Sequence, residues 1–414
     1  MLKECEDIRV SIIVPVYNSE KYLDECLRSI ASQSLHEIEI LCVDNASSDR
    51  SADIIHKYCL TDSRLTYIKN EKNMGLAYSR NVGLRKAKGT YVFFADSDDM
   101  LCEDALLTLY KQIEENNLDG VLFDAEVIDE KGNIVEGTYK ACRSHLYSNV
   151  TNGEEMFSML INDSEYTQAV WRQFWRKDFL LLHNICFFEI GAPHEDSLFS
   201  FEVLMAARRV KCIQEICYRY RRHSESVTSS INHERLAGMF ICFVEILLRI
   251  RKMQLDTEIV DSIYICLSQY QRYINNMVNV LLRQGESLDV IDLKTSFYEI
   301  MFRLFIKQRN DIIGNYILQE LIERRGLYKK LIVYGCGTFG KKLIQNLDKL
   351  NITDYAIAVT DKTVVKFEKP IYQIDELKKY RENGLVLIAT SEIHQTSIIK
   401  ILNELGFKHY LSVI

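Results

Sequence analysis

The chain has 414 residues, which allows roughly two or three domains, and 47% of them are apolar, enough to fill real cores. Charged residues make up 26% and no long low-complexity tract occurs, which excludes a disordered chain. The formal net charge of −7 excludes a general nucleic-acid binder, though not a local basic patch.

Residues 10–16 (VSIIVPV) form a continuous apolar run, as expected of a strand buried on both faces. Tyr17-Asn18-Ser19 reads as a turn, with Ser19 capping a helix over 20–32 whose Tyr22, Leu23, Cys26, Leu27 and Ile30 share one face. A strand over 38–43, a loop over 45–49 and a helix over 50–58 follow. Then come a short strand over 65–69, a helix over 75–86 and a strand over 90–95. Such alternation predicts a mainly parallel sheet with right-handed crossovers. Residues 120–227 are mixed, with a strand over 121–128 and a hairpin signal at Lys131-Gly132-Asn133. From 232 to about 325, apolar residues recur at three- and four-residue spacing, which predicts three or four packed helices broken near Asp256 and Gly285. The last segment, from about 327, again alternates strand and helix and reads as a separate small α/β domain.

The opening MLKECEDIRV is polar and acidic, unlike a signal peptide. No apolar run reaches the roughly 18 residues of a spanning helix. The nearest, 239–250, is short and contains Glu245, so any membrane contact is expected to be peripheral. Twelve cysteines occur without CxxC pairs, several inside apolar runs (Cys42, Cys212, Cys266), and read as reduced core residues of a cytoplasmic protein.

The chemistry concentrates at strand ends, where ligands sit on parallel sheets. The run Tyr91-Val92-Phe93-Phe94-Ala95 ends in Asp96-Ser97-Asp98-Asp99. Three carboxylates this close repel one another, and a hard divalent cation, which takes oxygen ligands and bridges to phosphates, would hold them. Asp96 and Asp98, two apart in extended chain, share a face. The plain alternative is an acidic turn before a helix near Glu103. Tyr17 and Asp44 fall at the ends of the first two strands. A tyrosine there offers a ring for stacking on a nucleobase.

The stretches VSIIVPVYNSEKYLDECLRSIASQS, EILCVDNASSDRS, NMGLAYSRNVGLRKAKGTYVFFADSDD, HEDSLF and YRRHSESVT occur in that order over the first 230 residues. Together they resemble the family 2 glycosyltransferases of GT-A fold. The resemblance implies transfer of a sugar from a nucleotide-diphosphate sugar, with a UDP-sugar the expected donor, to a glycan or lipid-linked glycan acceptor. It implies inversion at the anomeric carbon, Mn²⁺ or Mg²⁺ as cofactor, a hexosyl- or N-acetylhexosaminyltransferase type of activity, and a setting in bacterial surface polysaccharide synthesis at the inner face of the cell membrane. The expected architecture is a GT-A nucleotide-diphospho-sugar transferase domain over 1–230, a helical segment over 231–326 and a small Rossmann-like α/β domain over 327–414.

Carried onto this chain, the resemblance puts Pro15, Tyr17 and Glu20 at the nucleobase and Asp44 on the uracil N–H. Glu20 also reads simply as an acid favouring a helix N-terminus. Family members often carry a second acid after Asp44, where this chain has Asn45. Asp98 would bind the metal, with Asp96 nearer the ribose or the metal's waters. Arg80 would offset donor phosphate charge or orient the acidic loop. Within His194-Glu195-Asp196, Asp196 is the expected base for the acceptor hydroxyl and Glu195 the reserve. The segment 220–223 would close over the diphosphate, with Arg221 or Arg222 on phosphate oxygens and His223 on the metal. Trp171 and Trp175 line the acceptor cleft or belong to the core.

Near the C-terminus, Gly335-Cys336-Gly337-Thr338-Phe339-Gly340 stands between a predicted strand and helix, with Asp361 after the next strand. This is the context of a dinucleotide fingerprint, so Gly335, Gly337, Gly340 and Asp361 form a candidate second nucleotide site, with a degenerate docking or regulatory module as the favoured alternative. It sustains a rival reading as an NAD-linked sugar-nucleotide oxidoreductase or epimerase. A second rival is a non-catalytic nucleotide-sugar-binding scaffold that keeps the fold.

Overall fold

The computed structural model describes residues 7–135, 142–147, 149–189, 193–223, 231–308, 329–336, 338–349, 354–360, 370–390 and 392–412. The chain divides into two units, Met1–Arg251 with Ser287–Asp292, and Lys252–Glu286 with Leu293–Ile414.

The first unit is built on β1 (Val10–Val16), β2 (Ile38–Asp44), β3 (Leu65–Lys69) and β4 (Tyr91–Phe94), which run parallel in the order β3-β2-β1-β4. Every residue of β1 and β2 is buried, as their unbroken apolar runs require of strands covered on both faces. On one face lies α1 (Leu23–Ala31), whose Leu23, Cys26, Leu27 and Ile30 recur at helical spacing and join a core with Val10, Ile12, Val14 and Val16. Each Leu or Ile so buried contributes about 1.5–3 kcal/mol relative to exposure. Helices α2 (Ser51–Thr61) and α3 (Leu76–Lys86) form the crossovers to β3 and β4.

Beyond β4 the sheet stops being parallel. β7 (Gln173–Arg176) pairs antiparallel with β4, and β6 (Gly120–Ile128) pairs antiparallel with β7. β8 (Val210–Arg221) is parallel to β6, and the two-residue β5 (Met100–Leu101) closes the far edge against Tyr218 and Arg219. The chain thus leaves the sheet's middle at β4, passes through the acidic tetrad and rejoins the sheet at its last strand. The hairpin signal is real: Gly132 has a φ of +85°, and Val135 donates to the Val127 carbonyl. Helices α4 (Ala105–Glu115), α5 (Gly153–Asn162), α6 (Lys177–Leu182), α7 (Glu195–Ala206) and α8 (His233–Ile250) complete the unit. Trp171 stacks on Tyr218 and Tyr220, while Trp175 is wholly buried under β6, so both belong to the core.

Ser19 departs from its expected role. The first helix begins at Leu23 without a side-chain cap, and the Ser19 hydroxyl instead meets Ser97 in the acidic tetrad at 2.6 Å.

The second unit holds α9 (Thr257–Arg283), α10 (Ser296–Gln308) and a five-stranded, wholly parallel sheet. Its strands are β9 (Lys330–Tyr334), β10 (Tyr355–Val359), β11 (Ile371–Gln373), β12 (Gly384–Ile388) and β13 (His409–Ser412), in the order β11-β10-β9-β12-β13. Helices α11 (Thr338–Lys349) and α12 (Glu392–Glu404) connect them. This is the doubly wound order, with its reversal between β9 and β12. Ile332, Tyr334, Ala358, Val386, Ile388 and Leu402 are among its core residues. Among the described residues no helix is long and apolar enough to cross a membrane.

Candidate active site

Three loops meet at the carboxyl ends of β1, β2 and β4, and hydrogen bonds tie them together. After β1, Asn18 accepts from the Ser48 N–H and donates its own N–H to the Ser47 hydroxyl. Ser19 reaches Ser97, and the Cys26 thiol donates to the Asp96 carbonyl at 3.5 Å. The loops therefore form one rim.

At the rim's outer part Tyr17 is 49% exposed, a free aromatic face at the strand end. Pro15 lies buried inside β1. Glu20 accepts from the backbone N–H and Nε of Arg50, and the backbone bond first, then the side-chain bond, draws its carboxyl below the ordinary range. Asp44 is buried at the end of β2, its Oδ1 accepting from the Ser47 N–H (2.9 Å) and its Oδ2 from the Tyr67 hydroxyl (2.8 Å). Asn45, where the family often has an acid, is a structural tie: it donates to Asn73 and accepts from Asn70 and from the Met74 N–H.

The acidic tetrad is fixed from below by β8. The Asp96 N–H donates to the Tyr218 hydroxyl (3.0 Å), and Asp99 accepts from the Arg221 N–H (2.7 Å). Burial, then Asp98 and Asp96, push the Asp99 carboxyl well above its ordinary range. Arg221 has no exposed side chain. Its guanidinium donates to the carbonyls of Asp98, Asp129 and Glu130 and to the Glu25 carboxylate, and lies 4.7 Å from the Tyr22 ring centroid. In this structure it is wholly buried and shapes the acidic loop. Asp98 turns outward to His223, whose Nε2 stands 2.9 Å from Oδ2. The His223 ring is otherwise enclosed, packed against Tyr22.

The opposite side of the site is built on α7. His194 adopts a φ of +76°, unusual for a residue with a side chain, and turns the chain into the helix at Glu195. Its carbonyl accepts from the Cys242 thiol of α8 at 3.0 Å. Gly238 lets α8 come this close, since a Cβ there would stand 1.9 Å from the Pro193 carbonyl oxygen. Burial, then Arg235, lowers the His194 imidazole to about 4, so it is neutral. Arg80 of α3, 2% exposed, joins both halves of the site, with Nη1 2.6 Å from Glu195 and Nη2 2.9 Å from Asp96. The two acids of α7 therefore differ. Glu195 is buried and paired to a cation, whereas Asp196, next to it, has no ion pair among the described residues. Burial, then the Glu195 charge, push Asp196 up to about 7 against the opposing pull of Arg80.

The site residues read from the sequence fall into three groups. Asp96, Asp98, His223, Arg80, Glu195 and Asp196 come together, with Tyr17, Glu20 and Asp44 on the adjoining rim. Arg221 stands beneath them. Gly335 and Gly340 lie in the second unit, and Gly337 and Asp361 fall outside the described residues. Packing accounts for both described glycines: Gly335 has a φ of +108° against Thr390 and Ala389, and a Cβ on Gly340 would stand 2.0 Å from the Gly335 carbonyl oxygen. Tyr22, Tyr218 and Gly238 were not legible as site-forming residues. Their role depends on contacts across 45 or more residues, and a single tyrosine or glycine carries no such signal.

Among the described residues no three His, Cys, Asp or Glu side chains form a complete metal cage. Asp98 and His223 do present an oxygen and a nitrogen to one another. Two such donors fit a cation whose remaining positions are filled by phosphate oxygens and water.

The profile of the family described as Glycosyl transferase family 2 matches residues 11–171. Glycosyltransferase GlyG of Streptococcus pneumoniae serotype 4 is 30% identical over 222 residues, which is 53% of this chain and 72% of that protein. The uncharacterized glycosyltransferase EpsJ of Bacillus subtilis is 34% identical over 223 residues, 53% of this chain and 62% of its own length. The poly(ribitol-phosphate) beta-glucosyltransferase of Bacillus spizizenii is 38% identical over 128 residues, 30% of this chain and 20% of that protein. The similarity thus lies in about the first half of the chain, and the match spans under two thirds of two of these three relatives. The chain belongs to glycosyltransferase family 2, and its first unit carries the GT-A fold.

Proposed function

We propose that the protein transfers a sugar from a nucleotide-diphosphate sugar, with UDP-sugars the first candidates, to a hydroxyl of a glycan or lipid-linked glycan, with inversion. The observation that carries this is the division of labour on α7: Glu195 is ion-paired to Arg80, while Asp196 beside it has no ion pair among the described residues and is pushed up to about 7. A base whose proton affinity lies near the working pH accepts a proton efficiently while about half of it remains ionised.

In this reading Asp196 takes the proton of the acceptor hydroxyl. The hydroxyl oxygen bonds to the anomeric carbon as that carbon's bond to the diphosphate oxygen breaks. The electron pair leaves on the diphosphate. Glu195, the carboxylate next to Asp196, is held by Arg80 rather than free to form a glycosyl-enzyme intermediate, which supports direct displacement and with it inversion. Tyr17 stacks on the base, and Asp44, fixed by Ser47 and Tyr67, presents its remaining acceptor capacity to the base's N–H. Asp98 and His223, with Asp96 behind them, would hold Mn²⁺ or Mg²⁺. Such a cation, when bound, offsets the charge gathering on the leaving diphosphate. The name of the poly(ribitol-phosphate) relative supports a polymeric acceptor. Activated nucleotide sugars and thiols kept reduced both favour work at the cytoplasmic face.

Asp196→Asn tests the reading. It should keep nucleotide binding and lose about 10²–10⁴-fold in turnover. Glu195→Gln should remain an active transferase with altered pH dependence. Transfer that survives Asp196→Asn and dies in Glu195→Gln would reverse the assignment.

A further inference from the structure

We propose that Arg80 and Glu195 are positioning residues: together they clamp the start of α7 to the acidic loop and so fix the Asp196 carboxyl relative to the diphosphate end of the site. The proposal rests on the reading of Asp196 as the base.

The clamp joins three elements that are far apart in sequence. Arg80 comes from α3, Asp96 follows β4, and Glu195 opens α7, separated from Arg80 by 115 residues. One guanidinium serves both acids through different nitrogens, which a fork-shaped cation can do and a point ammonium cannot. The fork lies over the Phe187 ring at 5.2 Å. That ring in turn stacks on Phe199 of α7 at 4.3 Å and meets Phe94 of β4 edge-on at 5.0 Å. The helix and the strand therefore share one aromatic wall and one buried cation. Freeing either carboxylate would leave a buried charge uncompensated, so the helix start and the acidic loop are held in fixed relation.

The same arrangement decides which acid is ionised. Asp96, Glu195 and Asp196 surround Arg80, and Cys242 is the thiol facing them from α8. Burial, then Glu195 and Asp196, hold that thiol well above its ordinary range, so it stays neutral. One cation cannot offset three acids. Burial raises Asp96 and Glu195 as well, but each holds a direct ion pair with Arg80 that opposes the rise, and Asp196 has no such pair among the described residues, so its proton is the one this arrangement tunes.

The test is a carboxyl NMR titration of the full chain carrying ¹³C-labelled aspartate, with the Asp196 resonance identified by its loss in Asp196→Asn. It needs no donor. The expected wild-type midpoint is about 7. Glu195→Gln, which keeps a hydrogen-bonding partner for Arg80 but removes the charge, should lower the midpoint by about one pH unit or more. Arg80→Gln should raise it by a similar amount, and the double variant should return it towards the wild-type value. A midpoint that does not move in Glu195→Gln overturns the clamp, whether or not the Arg80 variant folds. A midpoint that moves as expected, beside an Asp196→Asn protein that still transfers sugar, overturns the proposed base and leaves the coupling standing.

Discussion

Asp196 and Glu195 are adjacent in one helical turn, yet the fold gives them opposite roles. Glu195 reaches Arg80, while Asp196 has no ion pair among the described residues and its carboxyl rises to about 7. Because the folded-state value is raised above that of an unfolded aspartate, the protonated group favours the native state at low pH, and that contribution is lost as pH climbs through about 7. Activity runs the other way. Turnover should rise as pH passes 7 and level off above it, and a pH–rate profile of kcat/KM measures this directly. Tyr17 carries a separate prediction. Its exposed ring is proposed to stack on the base, so Tyr17→Ala should weaken nucleotide binding by about 1–3 kcal/mol in a calorimetric titration and leave the pH limb in place. The acids were visible as motif residues, but their different fates were not. The partner that separates them lies 115 residues away, and no local spacing encodes such a pair.

At the scale of elements, the readable parts were those whose pattern is local. β1 and β2 announce themselves as unbroken apolar runs because both of their faces are covered. The helical spacing of Leu23, Cys26, Leu27 and Ile30 likewise marks α1. The antiparallel half was hidden: β5 has two residues and β7 four, too short for a periodicity to show. Ser19 misleads for a related reason. Its position suits a cap, but the hydroxyl finds Ser97 across the rim, and that partner comes only with the tertiary fold. α8 makes the clearest prediction here. Gly238→Ala forces a Cβ towards the Pro193 carbonyl oxygen, so it should cost about 1–3 kcal/mol in chemical denaturation. It should also lower kcat more than donor affinity, because the turn that it displaces leads into Glu195 and Asp196.

For the whole molecule, composition set the class and topology set the sites. Each unit has its own closed core, one around β1 and α1 and the other around β9 and β12. Two cores predict two cooperative transitions in a calorimetric scan. Gly340→Val, which pushes side-chain atoms into the Gly335 carbonyl, should lower the transition of the second unit alone; a single transition shifting as one would contradict separate cores. The doubly wound order of the second sheet was foreshadowed by alternating strands and a glycine-rich turn. The split of the helical stretch, with α8 in the first unit and α9 and α10 in the second, was not, since helical periodicity says which face is apolar and not what covers it.

The central claim is that the acidic loop grips a donor's diphosphate with a divalent cation while Asp196 activates the acceptor. The most direct measurement is nucleoside diphosphate release from a panel of UDP-, GDP- and dTDP-sugars with Mn²⁺, in the presence of a glycan or lipid-linked acceptor, for the wild type, Asp98→Asn and Asp196→Asn. The account predicts that one donor class is turned over, that EDTA abolishes the reaction, and that both variants lose it while remaining folded. Wild-type rates in EDTA, or in the Asp98→Asn protein, would contradict it.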